Sequence, residues 1–259
     1  MSFEEIEIRS GNVSAKIAPA RGALVSGLTV NGKEILYLDR ASFEDETKNV
    51  RGGIPVLFPY AGKLVDGTLV VAGTKMNQHG FGRNKAWKVL EARVDTLRVG
   101  LSSDAETLSV YPYGFSAEQR CTILPRGLLV ELLIANLDPK PLPVSPGWHP
   151  YFCCPATKKP GVVCDAPGFV AGSTPNDREF DFGIVAPADG RASITGIEFG
   201  ALNLSFEPQM RHLQFWSQPG KDFICIEPFN GPNNTINTDK CVDIAPGTCR
   251  VFWMRIEID

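Results

Sequence analysis

The sequence predicts an all-β fold: one large antiparallel β-sandwich formed by a single domain over residues 1–259. Three observations predict it. Short runs of β-branched, aliphatic and aromatic residues recur along the whole chain, separated by turn residues among its 25 glycines and 20 prolines. Two of the junctions carry hairpin chemistry. No stretch holds a helical period for more than about three turns.

The elements follow in order. In LVSGLTVNGKEILYLD, Asn31-Gly32 joins two β-rich runs, and both residues tolerate the left-handed conformation a two-residue hairpin turn requires. WKVLEARV and TLRVGLSS read as further strands. FSAEQRCTIL, Pro125-Arg126-Gly127 and LLVELLIANL form a second hairpin. Here Leu128, Val130, Leu132 and Ile134 share one face, and Cys121 and Ile123 share one face of the partner strand. That period of two is the signature of one-sided burial. LQFWSQ, DFICIEPF and CRVFWMRIEI complete the series. The pattern runs from the first ten residues to the last ten, with no linker, repeat or low-complexity tract, so a single domain is expected.

Composition excludes several functions. The formal net charge of −3 gives no general attraction to nucleic acid or to an anionic membrane. The seven cysteines, at 121, 153, 154, 164, 225, 241 and 249, are odd in number and form no C-x-x-C. They read as reduced core fillers rather than a zinc knuckle or a disulfide framework. The opening MSFEEIEIRSG lacks the basic and apolar regions of a secretory leader, and no apolar run reaches the length of a membrane span. A soluble, cytoplasmic protein is expected.

Candidate chemistry is concentrated in few places. The three histidines are His79, His149 and His212. His79 and His149 stand in loops dense with glycine, proline and aromatic residues, in NQHGFGRN and GWHPYFCC. A lone loop histidine is more often packed against a backbone carbonyl than catalytic, although its near-neutral titration suits proton transfer. His212, in strand-like QMRHLQFW, keeps the packed reading. Glu227 follows Phe-Ile-Cys-Ile and precedes Pro-Phe. It is either a solvent-facing edge residue or a buried carboxyl whose elevated pKa suits a general base. Arg51 and Arg83, in RGGIPVLFP and HGFGRN, either pair with surface carboxylates or present a fork of donors to hydroxyls or an anion. Trp148 and Trp216 could stack on a sugar face or pack the core. Tyr60 and Tyr151 would be available to a lyase, but their contexts read as structural. A glycosidase needs two acids, and only Glu227 has suitable surroundings. No nucleophile elbow, phosphate loop, dinucleotide fingerprint or H-E-x-x-H occurs. Neither a cofactor nor a metal is expected.

Five stretches, in order, are ARGALVSGLTVNGKEILY, RGGIPVLFPYAGKL, NQHGFGRNKAW, VSPGWHPYF and ICIEPFNGPNN. This series resembles the aldose 1-epimerase (galactose mutarotase) family, and RGGIPVLFP and QHGFGR resemble its hexose-6-phosphate 1-epimerase branch. The resemblance implies a mutarotase-like supersandwich with the site on one concave face. It also implies a cofactor-free exchange of sugar anomers, by ring opening and closure. By motif, Glu227 would be the base and His149 the acid, with His79 beside the ring oxygen. Arg51 and Arg83 would hold the anionic end of a sugar phosphate. Two departures stand out. The family's sugar-binding Asp has no clear counterpart; Asn203 in LNLSF and Asp181 in DREFDFG are the rivals. The arginine motif continues as PYAGK, so Lys63 either replaces a lost contact or marks a lost phosphate preference. The competing reading is a non-catalytic sugar-binding protein on the same sandwich. Retention of both Glu227 and His149 speaks against it. The partner in either case is a small sugar or sugar phosphate.

Overall fold

Three antiparallel sheets carry the architecture. The computed structural model of the chain describes residues 3–259; Met1 and Ser2, where the segment read as leaderless begins, lie outside them. The widest sheet has eight strands, in the spatial order Val163–Cys164, Arg191–Thr195, Leu202–Phe206, Cys249–Ile258, Gly127–Asn136, Phe115–Leu124, Thr96–Ser102 and Lys88–Ala92. A six-stranded sheet orders Phe180–Val185, His212–Ser217, Phe223–Phe229, Gly147–Trp148 and Val56–Leu57, with Tyr151–Cys153 also pairing Phe223–Phe229. The N-terminal sheet is a meander of Ile6–Ser10, Val13–Ala18, Leu24–Val30 and Lys33–Glu34.

Local chemistry explains the turns. Asn31 and Gly32 both adopt positive φ, 50° and 76°, the geometry of a two-residue turn that continues the strand twist. Phe115–Leu124 and Gly127–Asn136 pair over their full length from Phe115↔Asn136 to Leu124↔Gly127. Among the described residues the α-helices are short, Arg40–Glu44 and Ala105–Val110. No helix among the described residues is long and apolar enough to cross a membrane.

The core is filled by alternate residues of the two large sheets. Leu128, Val130, Leu132 and Ile134 are fully buried, as the period of two predicts, and they share one cluster with Leu213, Phe215, Ile224 and Ile226 of the six-stranded sheet. Burying a side chain of this size contributes about 1.5–3 kcal/mol. The alternation then fixes what the other face of the six-stranded sheet presents. Gln214, Trp216, Cys225, Glu227 and Phe229 occupy the intervening positions, and Gln214 lies directly across from Glu227. A one-residue slip of register would exchange this set, with Gln214 and Glu227 in it, for core residues. Four of the cysteines are buried and none is in a disulfide.

Candidate active site

The outward face of the six-stranded sheet floors a cleft of about 220 Å³. Loops from distant parts of the chain close its walls. His149 is held there by two backbone bonds flanking it: its own N–H donates to the Pro55 carbonyl at 3.1 Å, and the Tyr151 N–H donates to Gly53 at 2.9 Å. These bonds bind the RGG loop to the HPY stretch. The chain leading to Arg51 is anchored separately. The buried Arg21 guanidinium donates to the carbonyls of Phe43, Ser42, Asp45 and Lys48, at 3.0, 3.1, 2.7 and 2.7 Å.

Gly62 is where three motifs cross. Its N–H donates to His79 Nδ1 at 2.9 Å, and the His79 N–H donates back to the Gly62 carbonyl, also at 2.9 Å. A Cβ at Gly62 would meet Asn233 Oδ1 at 2.4 Å, and its φ of +83° suits only glycine. Asn233 in turn accepts the Lys63 N–H at 2.8 Å. His79 itself sits at φ +70°, a left-handed conformation uncommon outside glycine. Such strain persists only where surrounding contacts enforce it.

The tautomer of His79 follows from this exchange. Nδ1 accepts, so a neutral ring carries its proton on Nε2. Burial, and then the charge of Arg83, hold the His79 pKa well below the ordinary histidine value. A neutral imidazole with a free N–H donor therefore lines the cleft.

His149 and Glu227 form the centre. Nε2 of His149 lies 3.4 Å from Oε2 of Glu227, and the two side chains are 8% and 2% exposed. His79 stands edge-on to His149, with ring centroids 5.5 Å apart, and Tyr151 stacks on its other side at 4.8 Å. Burial pushes Glu227 well above the ordinary carboxyl range, and the nearby Asp181 charge adds to this. Burial and the Arg83 charge push His149 down to about 3. Both shifts favour an uncharged pair. Between its two titration steps the pair holds one proton, on either Glu227 or His149 Nε2, and it titrates as a unit.

Cations gather round this pair. Arg51, Lys63 and Arg83 all line the cleft. Among the described residues none of the three has a carboxylate within ion-pair distance. The Arg51 guanidinium lies over the Trp216 ring, 5.2 Å from its centroid. Arg83 donates through Nη2 to the Gln78 carbonyl at 3.1 Å, while its buried Nε has no partner. Arg51 and Lys63 are exposed, whereas Arg83 is largely desolvated. Holding that one cation so without counter-charge is costly, and an anionic ligand would relieve the cost. His149, Cys225 and Glu227 place potential ligand atoms within 4.8 Å of one another. A soft divalent ion would suit that donor set only after Glu227 and Cys225 lost protons that burial holds on them.

The structure brings together Glu227, His149, His79, Arg51, Arg83 and Asp181, along with Lys63 and Trp216, the two further residues the sequence offered. Asn203 is a correction. It lies on Leu202–Phe206 of the eight-stranded sheet, where its amide donates to Asp259 at 2.7 Å, and it does not line the cleft. The short apolar context of LNLSF reads alike on either sheet, so sequence alone could not place it. Trp148 belongs to the core at 1% exposure. Tyr60 is buried and donates to the Asn77 carbonyl at 2.6 Å. Sequence reasoning missed Gln214, Glu179 and Asn233. Gln214 could have been found by pairing LQFWSQ with DFICIEPF, which sets it across from Glu227; Asn233 stands in the quoted GPNN.

The family model for aldose 1-epimerase matches residues 4–167. The chain belongs to the aldose 1-epimerase family. The match ends before Glu227, so that residue's place beside His149 rests on the geometry and not on that match. A candidate glucose-6-phosphate 1-epimerase of Cenchrus ciliaris is 28% identical over 166 residues, which cover 58% of this chain and 47% of that protein. The plasmid-encoded LacX protein of Lactococcus lactis is 24% identical over 158 residues, 58% of this chain and 51% of that one. The matched region thus spans about half the length of these relatives. Among solved structures, the Slr1438 protein of Synechocystis superposes with a TM-score of 0.93 at 29% identity, covering 99% of this chain and 96% of that one. A galactose mutarotase-like protein of Lactobacillus casei superposes at 0.77 with 20% identity, covering 98% and 99% of the two chains, a likeness of fold. This aldose 1-epimerase family member therefore has the mutarotase-like β-sandwich across its length, as the sequence predicts.

Proposed function

We propose that this cleft interconverts the α and β anomers of a hexose, preferentially one carrying a 6-phosphate. The observation that carries the reading is the buried His149–Glu227 pair at 3.4 Å, with the neutral His79 donor beside it. A cyclic sugar is a hemiacetal, and its two reacting oxygens share one carbon. A base and an acid a few ångström apart can therefore serve both. The step starts from the form with the shared proton on His149 Nε2, which leaves Glu227 ionised. Glu227 then takes the proton of the anomeric hydroxyl as the C1–O5 bond breaks. His149 Nε2 gives its proton to the ring oxygen, and the anomeric oxygen becomes the aldehyde carbonyl. Rotation about C1–C2 presents the other face, and the reverse transfers close the ring. No net proton is gained or lost, so a pair that stores a single mobile proton suits the cycle. The His79 N–H would stabilise negative charge developing on a sugar oxygen.

Arg51, Lys63 and Arg83 support the phosphate preference, since among the described residues none of them has a carboxylate counter-ion, and the Cenchrus relative is named for a glucose-6-phosphate 1-epimerase. The test is anomer exchange by NMR, using free and 6-phosphorylated glucose and galactose in pairs. Exchange above the uncatalysed rate, fastest for a phosphorylated sugar, is expected. Sugar binding without acceleration would replace this reading with a carbohydrate-binding protein; equal rates for both members of each pair would remove the phosphate preference.

A further inference from the structure

His212 takes no part in the proton transfers above, yet it starts a chain of hydrogen bonds that ends in the cleft. His212 Nε2 is 2.7 Å from Gln214 Oε1, and Gln214 Nε2 is 2.5 Å from Asp181 Oδ1. The direction of every bond is forced. A carboxylate only accepts, so the Gln214 amide must turn its NH₂ to Asp181 and its carbonyl to His212. His212 must then carry a proton on Nε2. Burial lowers its pKa, so the ring is a neutral Nε2–H donor.

The backbone makes room for this chain. Gly183 lies on Phe180–Val185 directly opposite Gln214. A Cβ there would stand 2.1 Å from His212 Cε1, 2.4 Å from His212 Nε2 and 2.8 Å from Gln214 Oε1. The ring and the amide occupy the space a side chain would fill. His212 also stacks on Phe229, with centroids 5.8 Å apart at 25°, and Phe229 lines the cleft.

We propose that His212, acting through Gln214, is a positioning residue that holds Asp181 as the hydroxyl acceptor of the sugar cleft. Asp181 lines the cleft, spends Oδ1 on Gln214, and makes no hydrogen bond through its second oxygen among the described residues. A fixed carboxylate with one oxygen free suits the sugar's neutral hydroxyl face, opposite in chemistry to the arginines. The inference rests on the epimerase reading for its substrate and on the bond chain for its residue.

The test is a double-mutant cycle on anomer exchange, with His212→Phe, Asp181→Ala and the double variant. His212→Phe keeps the stack on Phe229 and loses the donor. It is expected to raise KM about tenfold, the worth of one lost hydrogen bond, with kcat little changed. The double variant should be no worse than Asp181→Ala alone, and His212→Gln, which returns a donor at that reach, should recover most of the loss. Gly183→Ala, which expels the ring, should match His212→Phe. Multiplicative losses in the cycle, or an unchanged KM for folded His212→Phe, would overturn the proposal. Imidazole ¹⁵N NMR of the wild-type protein tests the chain without turnover: an Nε2–H tautomer at His212 supports it, and an Nδ1–H tautomer overturns it. Absence of exchange on any sugar would defeat the epimerase reading, while this tautomer would still decide the bond chain.

Discussion

Arg98 and Arg83 are the same residue type in opposite circumstances. On the outer surface of the eight-stranded sheet, Arg98 donates to both oxygens of Glu118, at 2.7 and 2.9 Å, and to Glu91 at 2.9 Å. In the cleft, Arg83 is largely desolvated, bonds one backbone carbonyl and leaves its Nε unsatisfied. The same contrast separates the carboxyl groups. Glu118 is held below the ordinary range by its Arg98 bonds, whereas burial drives Glu227 far above it. One region has its charges satisfied by the protein. The other keeps donors, acceptors and cations unmet beside a mobile proton, and such unmet groups are what a substrate would complete.

The largest expected effect breaks the cleft's side of that contrast. Glu227→Gln and His149→Asn should each lower kcat about 10²–10⁴-fold while leaving circular dichroism and cooperative melting intact. A folded Glu227→Gln variant turning over at the wild-type rate would remove the pair from the mechanism. Next in size is the cation side. Arg83→Ala should raise KM for a 6-phosphorylated hexose about ten- to a hundredfold, and change the free hexose far less. An equal effect on both sugars would assign Arg83 to a hydroxyl contact instead.

Stability should respond to pH in opposite directions at the two members of the pair. The folded pKa of Glu227 is raised, so its contribution is intact below the unfolded carboxyl value and is lost as pH rises toward the folded value. The folded pKa of His149 is depressed to about 3, so as pH falls below 6.5 the unfolded chain binds a proton that the folded chain refuses. His149→Asn should therefore melt higher than the wild type in mild acid, by on the order of 2 kcal/mol at about pH 5, and lose that advantage near neutrality. Glu227→Gln should show the mirror trend, gaining over the wild type as pH rises. Parallel melting curves across pH would mean that neither group is held in the state its burial implies.

Much of this contrast was legible in the sequence, for a physical reason. Glu227 stood out because a carboxyl inside Phe-Ile-Cys-Ile-Glu-Pro-Phe breaks the strand's apolar run, and strands encode their faces with a period of two. His79 and His149 stood out because the chain has only three histidines and two of them fall in loops dense with glycine, proline and aromatic residues, where a rigid scaffold displays functional groups. Asn203 could not be placed, because its five-residue strand fits either sheet and pairing is a non-local property. Gln214 and the role of His212 were hidden for a related reason. Their significance lies in cross-strand register with Glu227 and in the gap at Gly183, and both require knowing which strands are neighbours. The unmet state of Arg83 was equally unreadable, since an absent counter-ion is a property of three dimensions.

The smallest expected effect sharpens the contrast from its satisfied side. Arg98→Ala removes a guanidinium from a site where two carboxylates already compete for it in solvent, and exposed ion pairs are screened by water and salt. Its melting temperature should fall by less than about 3 °C, and the fall should shrink further in high salt. Turnover and the KM ratio between phosphorylated and free hexose should stay at wild-type values. The comparison then becomes quantitative, because the arginine with the better bonds matters less to function than the one with the poorer bonds. Should Arg98→Ala instead change the sugar-phosphate preference as Arg83→Ala does, that preference would reflect the net charge of the whole molecule acting at long range. The unpaired cations of the cleft would then lose their special standing.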